Sequence, residues 1–201
     1  MEKVFWNGGT LLAPVPPALV TCGTTEQPNV FTVAWTGICC THPPITYISV
    51  RPTRYSYEII KKSGEFAVNL PTAELVRAVD FCGVRSGRDT DKFAVCGLHP
   101  VPTEHGSVPV LAEAPVSLVC KVTQVIPLGS HDMFLAEIVG TAADTRFLDS
   151  SGKLDLRKSG LLAYAHGEYF ALGQQCGTFG FSVRKRKKRK KPHSHSSKGE
   201  S

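Results

Sequence analysis

Glycine and proline punctuation constrains this chain more than any other feature. Eighteen glycines and fourteen prolines cut it into short apolar runs bounded by turn residues, the signature of strands rather than of long helices. "ALVTCGT" and "NVFTVAWTGICC" read as an early strand pair across the polar turn "TTEQPN", and "TYISV" and "EFAVNL" are further strands. "VSLVCKVTQVI" and "DMFLAEIVGTAAD" read as two longer strands pairing antiparallel across "PLGSH". In the first of these Leu118, Cys120 and Val122 alternate with Val119, Lys121 and Thr123, a half-exposed pattern. "LLAYAHGEYFALG" is the last apolar stretch. Two helices interrupt the series. "RYSYEIIKKSG" places Tyr55, Ile59 and Lys62 on one face and Gly64 at its end, and "TAELVRAVDFCG" has Thr72 as its N-cap and Leu75, Val76 and Val79 as its apolar stripe. Many short antiparallel strands with few helices predict an α+β, mainly β fold built on a small barrel.

At 201 residues and 42% hydrophobic content, one domain with a substantial core is expected. The net charge of +6 is unevenly placed. From Arg184 onward nine Lys or Arg face one acid, a local +8, whereas residues 1–183 carry fourteen against sixteen, a local −2. The expected organisation is therefore a folded domain over 1–183 and a disordered basic tail over 184–201. The tail could make weak nucleic-acid or polyanion contacts, or be merely solvated. The seven cysteines show no C-x-x-C or paired Cys/His spacing, so no metal site is expected, and buried free thiols are the economical reading. The sequence lacks a signal-peptide layout at its start and any apolar run long enough to cross a bilayer, which predicts a soluble, cytoplasmic protein without membrane contact.

"TYISVRPTRYSYEII" concentrates chemistry where a strand hands over to a helix. Ser49 and Arg51 lead in, and Thr53, Arg54, Tyr55 and Ser56 form the helix start. The first amides of a helix lack internal partners and carry partial positive charge, so a phosphate fits there, strengthened by arginine and hydroxyl donors. An ordinary capped helix with solvated arginines is the alternative. "NVFTVAWTG" offers backbone amides and small side chains along which a heteroaromatic ring could lie. "CGVRSGRDTDKF", read as a loop between a helix and a strand, has the composition of loops that close over anions. His131 and His166 are the candidate catalytic groups, each more readily read as a loop or strand-edge histidine. So small an inventory of acids and bases suits redox through a bound organic cofactor.

Taken together and in order, "NVFTVAWTG", "PPITYISVRPTRYSYEIIKKSGEFAVNLP", "CGVRSGRDTDKF", "LGSHDMFLAEIVG" and "YAHGEYFALG" resemble the flavin reductase-like family, which includes flavoredoxins and other FMN-binding split-barrel proteins. The resemblance covers about residues 5 to 183. It implies a six-stranded antiparallel FMN-binding split β-barrel with flanking helices, and a homodimer with flavin near the subunit interface. It also implies that Thr32, Ala34, Trp35 and Thr36 face the flavin ring, and that Ser49, Arg51, Arg54, Tyr55 and Ser56 hold its phosphate. Asn69, Ser86, Gly87 and Lys92 would complete the pocket. His131 stands where reductases of this family carry a histidine near the nicotinamide, although this chain reads "SHD" there.

Three functions follow as expectations. The first is an FMN oxidoreductase passing electrons from a reduced donor, NADH or NADPH among the candidates, to flavin, ferric or protein acceptors. The second is a flavoredoxin-type electron-transfer protein with an unknown redox partner and no NAD(P)H turnover of its own. The third is a nucleic-acid-associated module acting through the tail.

Overall fold

The computed structural model describes residues 1–184. Its main sheet has seven strands, β1 (Ala18–Gly23), β2 (Pro28–Val33), β3 (Thr36–Cys40), β4 (Ile45–Val50), β5 (Glu65–Leu70), β8 (Val116–Pro127) and β9 (Asp132–Ala143). Two small pairs flank it, β6 (Pro100–Val101) with β7 (Val110–Leu111), and β10 (Leu162–Ala165) with β11 (Glu168–Ala171). The α-helices are α1 (Tyr55–Ser63), α2 (Val76–Val84) and α3 (Lys92–Cys96). No helix among the described residues is long and apolar enough to cross a membrane.

Strand order is β2-β1-β5-β8-β9-β4-β3, every pairing antiparallel. The two edges, β2 and β3, are consecutive in the chain and separated only by Ala34 and Trp35. Three peptide units span about 11 Å at most, so the sheet must curl until its edges meet. That is how the seven strands make a barrel. The Ser49 amide donates to the Trp35 carbonyl at 2.9 Å and fastens the corner to β4. The expected six strands are thus seven in the main sheet, because "NVFTVAWTGICC" is two strands with a corner between them rather than one.

Alternation sorts the apolar side chains to two faces. Ala18, Val20 and Cys22 of β1 and Phe31 and Val33 of β2 join Ile48, Phe66 and Phe134 in the barrel interior. Leu19 and Val30, pointing outward, are covered by Ala78, Val79 and Cys82 of α2. Helix α1 closes the barrel with Ser56, Tyr57 and Ile60, so its buried face lies one residue on from the expected Tyr55–Ile59–Lys62 stripe. Gly64 ends it in the left-handed conformation at φ 70°, as expected. The second helix differs at its start. A 3₁₀ turn, Ala73–Leu75, precedes α2, and Thr72 makes no side-chain cap, its backbone bridging Leu161 instead. The seven thiols are free; Cys22, Cys82 and Cys120 are buried, but Cys39 and Cys176 are exposed. The tail expected to be disordered lies, beyond Arg184, outside the described residues.

Candidate functional site

Where the sheet edges meet, a cleft of about 770 Å³ opens. The corner Phe31–Trp35 forms one side, and Ser49, Val50 and Arg51 at the end of β4 form the floor. The start of α1, the end of α2, Lys92 and His131 supply the rest. Pro52 follows Arg51 and has no amide to continue the β4 ladder. The chain therefore turns, with the Arg54 amide bonding the Arg51 carbonyl at 2.9 Å, and enters α1 beneath the cleft. Arg54 is the N-cap and gives no side-chain cap bond; the Tyr57 amide bonds the Arg54 carbonyl at 3.0 Å, which leaves the Tyr55 and Ser56 amides for water or a ligand.

Arg51, Arg54, Arg85 and Lys92 line the cleft, against one acid, Asp80. Lys92 is 4% exposed and donates to the Cys82 carbonyl at 3.1 Å. Burial lowers the pKa of its ammonium, which the nearby Cys82 partly offsets and Arg54 reinforces. A buried cation beside a second cation is stabilised by an anion, which this end of the cleft therefore favours. Ser56 is buried and accepts from Asn29 Nδ2 at 2.7 Å, which fixes its hydroxyl under the same end. Gly87 passes so close that a Cβ would collide with the Asn29 amide and approach Tyr55 Cδ1 to 3.2 Å.

His131 sits at the β8–β9 tip with its Nδ1 2.9 Å from Ser130 Oγ. Burial, then Arg51 and Arg54, lower its pKa. Its neighbour Asp132 accepts from the Tyr57 hydroxyl at 2.5 Å, and that bond, with burial, pushes Tyr57 up to about 12. The tip carrying His131 is thereby tied to the helix whose start faces the cleft.

Of the residues expected from sequence, Thr32, Ala34, Trp35, Ser49, Arg51, Arg54, Tyr55, Ser56, Ser86, Gly87, Lys92 and His131 meet in this cleft. Three do not. Thr36 turns inward and donates to the Tyr47 carbonyl at 2.6 Å. Asn69 is fully buried, bonding Leu19, Thr21, Leu111 and Ser117, and it joins strands rather than meeting a ligand. His166 is exposed at φ 51°, followed by Gly167 at φ 87°, the two positive-φ positions of a two-residue hairpin turn. The loop "CGVRSGRDTDKF" also differs, since it leaves α2 and enters α3 rather than a strand.

Sequence reasoning missed Asp80, Arg85, Tyr164 and Tyr169, all lining the cleft. The two tyrosine rings of the β10–β11 hairpin lie 5.3 Å apart, and Tyr169 donates to Asp80 at 3.5 Å, bringing the hairpin over α2. "AHGE", a His-Gly pair between apolar segments, was the available signal for this hairpin.

The flavin reductase like domain profile matches residues 11–173. The chain belongs to the flavin reductase-like family. Within it, the fold is similar to the flavoredoxin of Desulfovibrio vulgaris (Miyazaki F), with a TM-score of 0.83 and 33% identity over 91% of this chain and 100% of that one. An uncharacterized protein of Archaeoglobus fulgidus is 30% identical over 79% of this chain and 88% of its own length. The NADH-dependent FMN reductase AsuE2 of Streptomyces nodosus subsp. asukaensis is 30% identical over 63% of this chain and 68% of its own. Flavin reductase-like membership also accounts for the antiparallel, mainly β architecture, a split-barrel fold.

Proposed function

We propose that the chain is an FMN-binding oxidoreductase, moving electrons from a reduced donor to a flavin, ferric or protein acceptor. The observation that carries this is the cleft itself, with a cationic end over an uncapped helix start and a closed barrel corner beside it. Arg51, Arg54, Lys92 and the first amides of α1 would hold the phosphate. The ring would lie along Thr32–Trp35. The Thr32 hydroxyl is committed to the Val79 carbonyl at 2.5 Å, so backbone groups and the Trp35 side chain, 37% exposed, are left to contact a ligand there. Bound FMN would supply the redox chemistry, and the protein would bind, orient and electrostatically tune it. The cationic lining would favour electron-rich, anionic states of a ligand in the cleft. A homodimer belongs to the same proposal; Ile38, Phe5, Trp6 and Phe181 are large apolar side chains left exposed in the single chain, which supports a partner surface.

NADH or NADPH is the proposed donor, supported by the likeness to AsuE2. The likeness to a flavoredoxin favours a second reading, an electron carrier without its own nicotinamide turnover. Rapid mixing of the FMN-loaded protein with each nicotinamide nucleotide separates the two. Fast bleaching of the flavin band supports the reductase, and a band bleached only by a reduced protein donor supports the carrier. Purified protein that binds no flavin at all overturns both.

A further inference from the structure

Asn29, on β2, stands behind the start of α1 without lining the cleft above it. It is buried, and its Nδ2 donates to Ser56 Oγ at 2.7 Å and to Cys22 Sγ at 3.6 Å. An amide nitrogen carries two hydrogens, so both are engaged on this side, while Oδ1 faces Gly87 on the other. The Ser56 oxygen accepts from Asn29, and its own proton is therefore left to donate. Ser56 is the second residue of α1 and lines the cleft, although only 2% of it is exposed. A buried hydroxyl donor costs free energy until it meets an acceptor. Cys22 Sγ is a poor one, because burial pushes its pKa up to about 11 and a neutral thiol accepts weakly. An anionic oxygen in the cleft is a strong one.

We propose that Asn29 is a positioning residue, which holds the Ser56 hydroxyl with its proton directed at an anion in the cleft. This rests on the flavin reading above, in which the anion is the phosphate of FMN. Asn29 touches no ligand; it acts through Ser56, whose amide and hydroxyl then offer two donors to one group. Gly87 belongs to the same device. A Cβ there would collide with Asn29 Oδ1 and come within 3.1 Å of its Cγ, so a side chain at this position pushes the amide off Ser56.

The test titrates FMN, and riboflavin, which lacks the phosphate, into the full-length protein freed of flavin. Wild type is compared with Asn29→Ala, Ser56→Ala and the double variant. Each single substitution should weaken FMN about tenfold, the loss of one bond to a charged group, and riboflavin less than twofold. In the Ser56→Ala background, Asn29→Ala should change FMN less than twofold, because its effect passes through that hydroxyl. Gly87→Ala leaves β2 intact and should weaken FMN in the same Ser56-dependent way, which decides the matter if Asn29→Ala does not fold. Unchanged FMN affinity, additive losses in the double variant, or equal losses for riboflavin and FMN overturn the proposal and leave the flavin reading standing. The cycle is read on FMN alone where riboflavin binds too weakly to measure. If wild type binds neither flavin, both readings fall.

Discussion

Asn69→Leu separates a structural residue from a ligand. The side chain is fully buried, its amide donating to the Leu19 carbonyl at 2.9 Å and to Thr21 Oγ1 at 3.1 Å. Its carbonyl accepts from the Leu111 amide at 2.9 Å and from Ser117 Oγ at 2.7 Å. Leucine keeps the branched shape in a bulkier side chain and deletes these bonds, together with the longer one to the Ala67 carbonyl at 3.4 Å. The Leu111 amide, left without this acceptor where water cannot follow, costs about 1–3 kcal/mol, and each of the other three bonds about 0.5–1.5 kcal/mol. Better solvation of leucine in the core returns part of this, leaving a loss of roughly 3–5 kcal/mol, a large share of a stability on the order of 5–15 kcal/mol. At about 2–4 °C per kcal/mol for a chain of this size, Tm should fall by about 6–20 °C. Urea unfolding followed by circular dichroism should show a lower midpoint at unchanged slope, and FMN titration of the folded protein at low temperature should give a Kd within twofold of wild type. A tenfold loss of FMN affinity at an unchanged unfolding midpoint would refute the reasoning and return Asn69 to the binding site.

Arg54→Ala should weaken FMN by about tenfold or more, the equivalent of one charge-assisted phosphate bond of about 1.5 kcal/mol, with little change in unfolding midpoint because Arg54 is exposed; isothermal titration beside urea unfolding checks both. His131 should titrate below its ordinary value, since burial and two arginines oppose its charge. With the folded value below the unfolded one, stability is intact above about pH 6.5 and falls as pH drops from there toward the folded value; an imidazole NMR titration should show this depressed pKa and its rise when FMN is added. Tyr57→Phe keeps the edge-on packing against Phe134, 5.3 Å between centroids, but removes the Asp132 bond. It should cost about 1–2 kcal/mol and speed amide hydrogen exchange at residues 128–132, and unchanged exchange there would show that the tip is held by something else.

The elements that line the cleft were legible because they depend on local chemistry. Pro52 after a buried strand, then hydroxyls and arginines at a helix start, places donors together whatever the rest of the chain does. The barrel corner was not legible. Val33 and Thr36 lie within one continuous apolar run, and only long-range pairing of β4 with β9 and of β5 with β1 forces the chain from one edge to the other at Ala34 and Trp35. Asn69 misled for a related reason: a polar residue in a strand looks the same in sequence whether it meets a ligand or a neighbouring strand. Asp80 and Tyr169 were missed because their meeting spans 89 positions, and neither residue is unusual in its own segment.

The two-residue step between the sheet edges also has a kinetic side. Neither edge of the sheet holds the cleft alone, since β2 and the corner after it bring one side and the end of β4 another. The ligand site comes into being only when the last edge arrives, after the long-range pairings have been made, and such non-local contacts form slowly. A nascent or damaged chain with a complete interior but an open corner would bind no cofactor. Flavin capture would thus report on completed folding, and bound flavin would hold the corner shut in proportion to RT ln(1 + [L]/Kd).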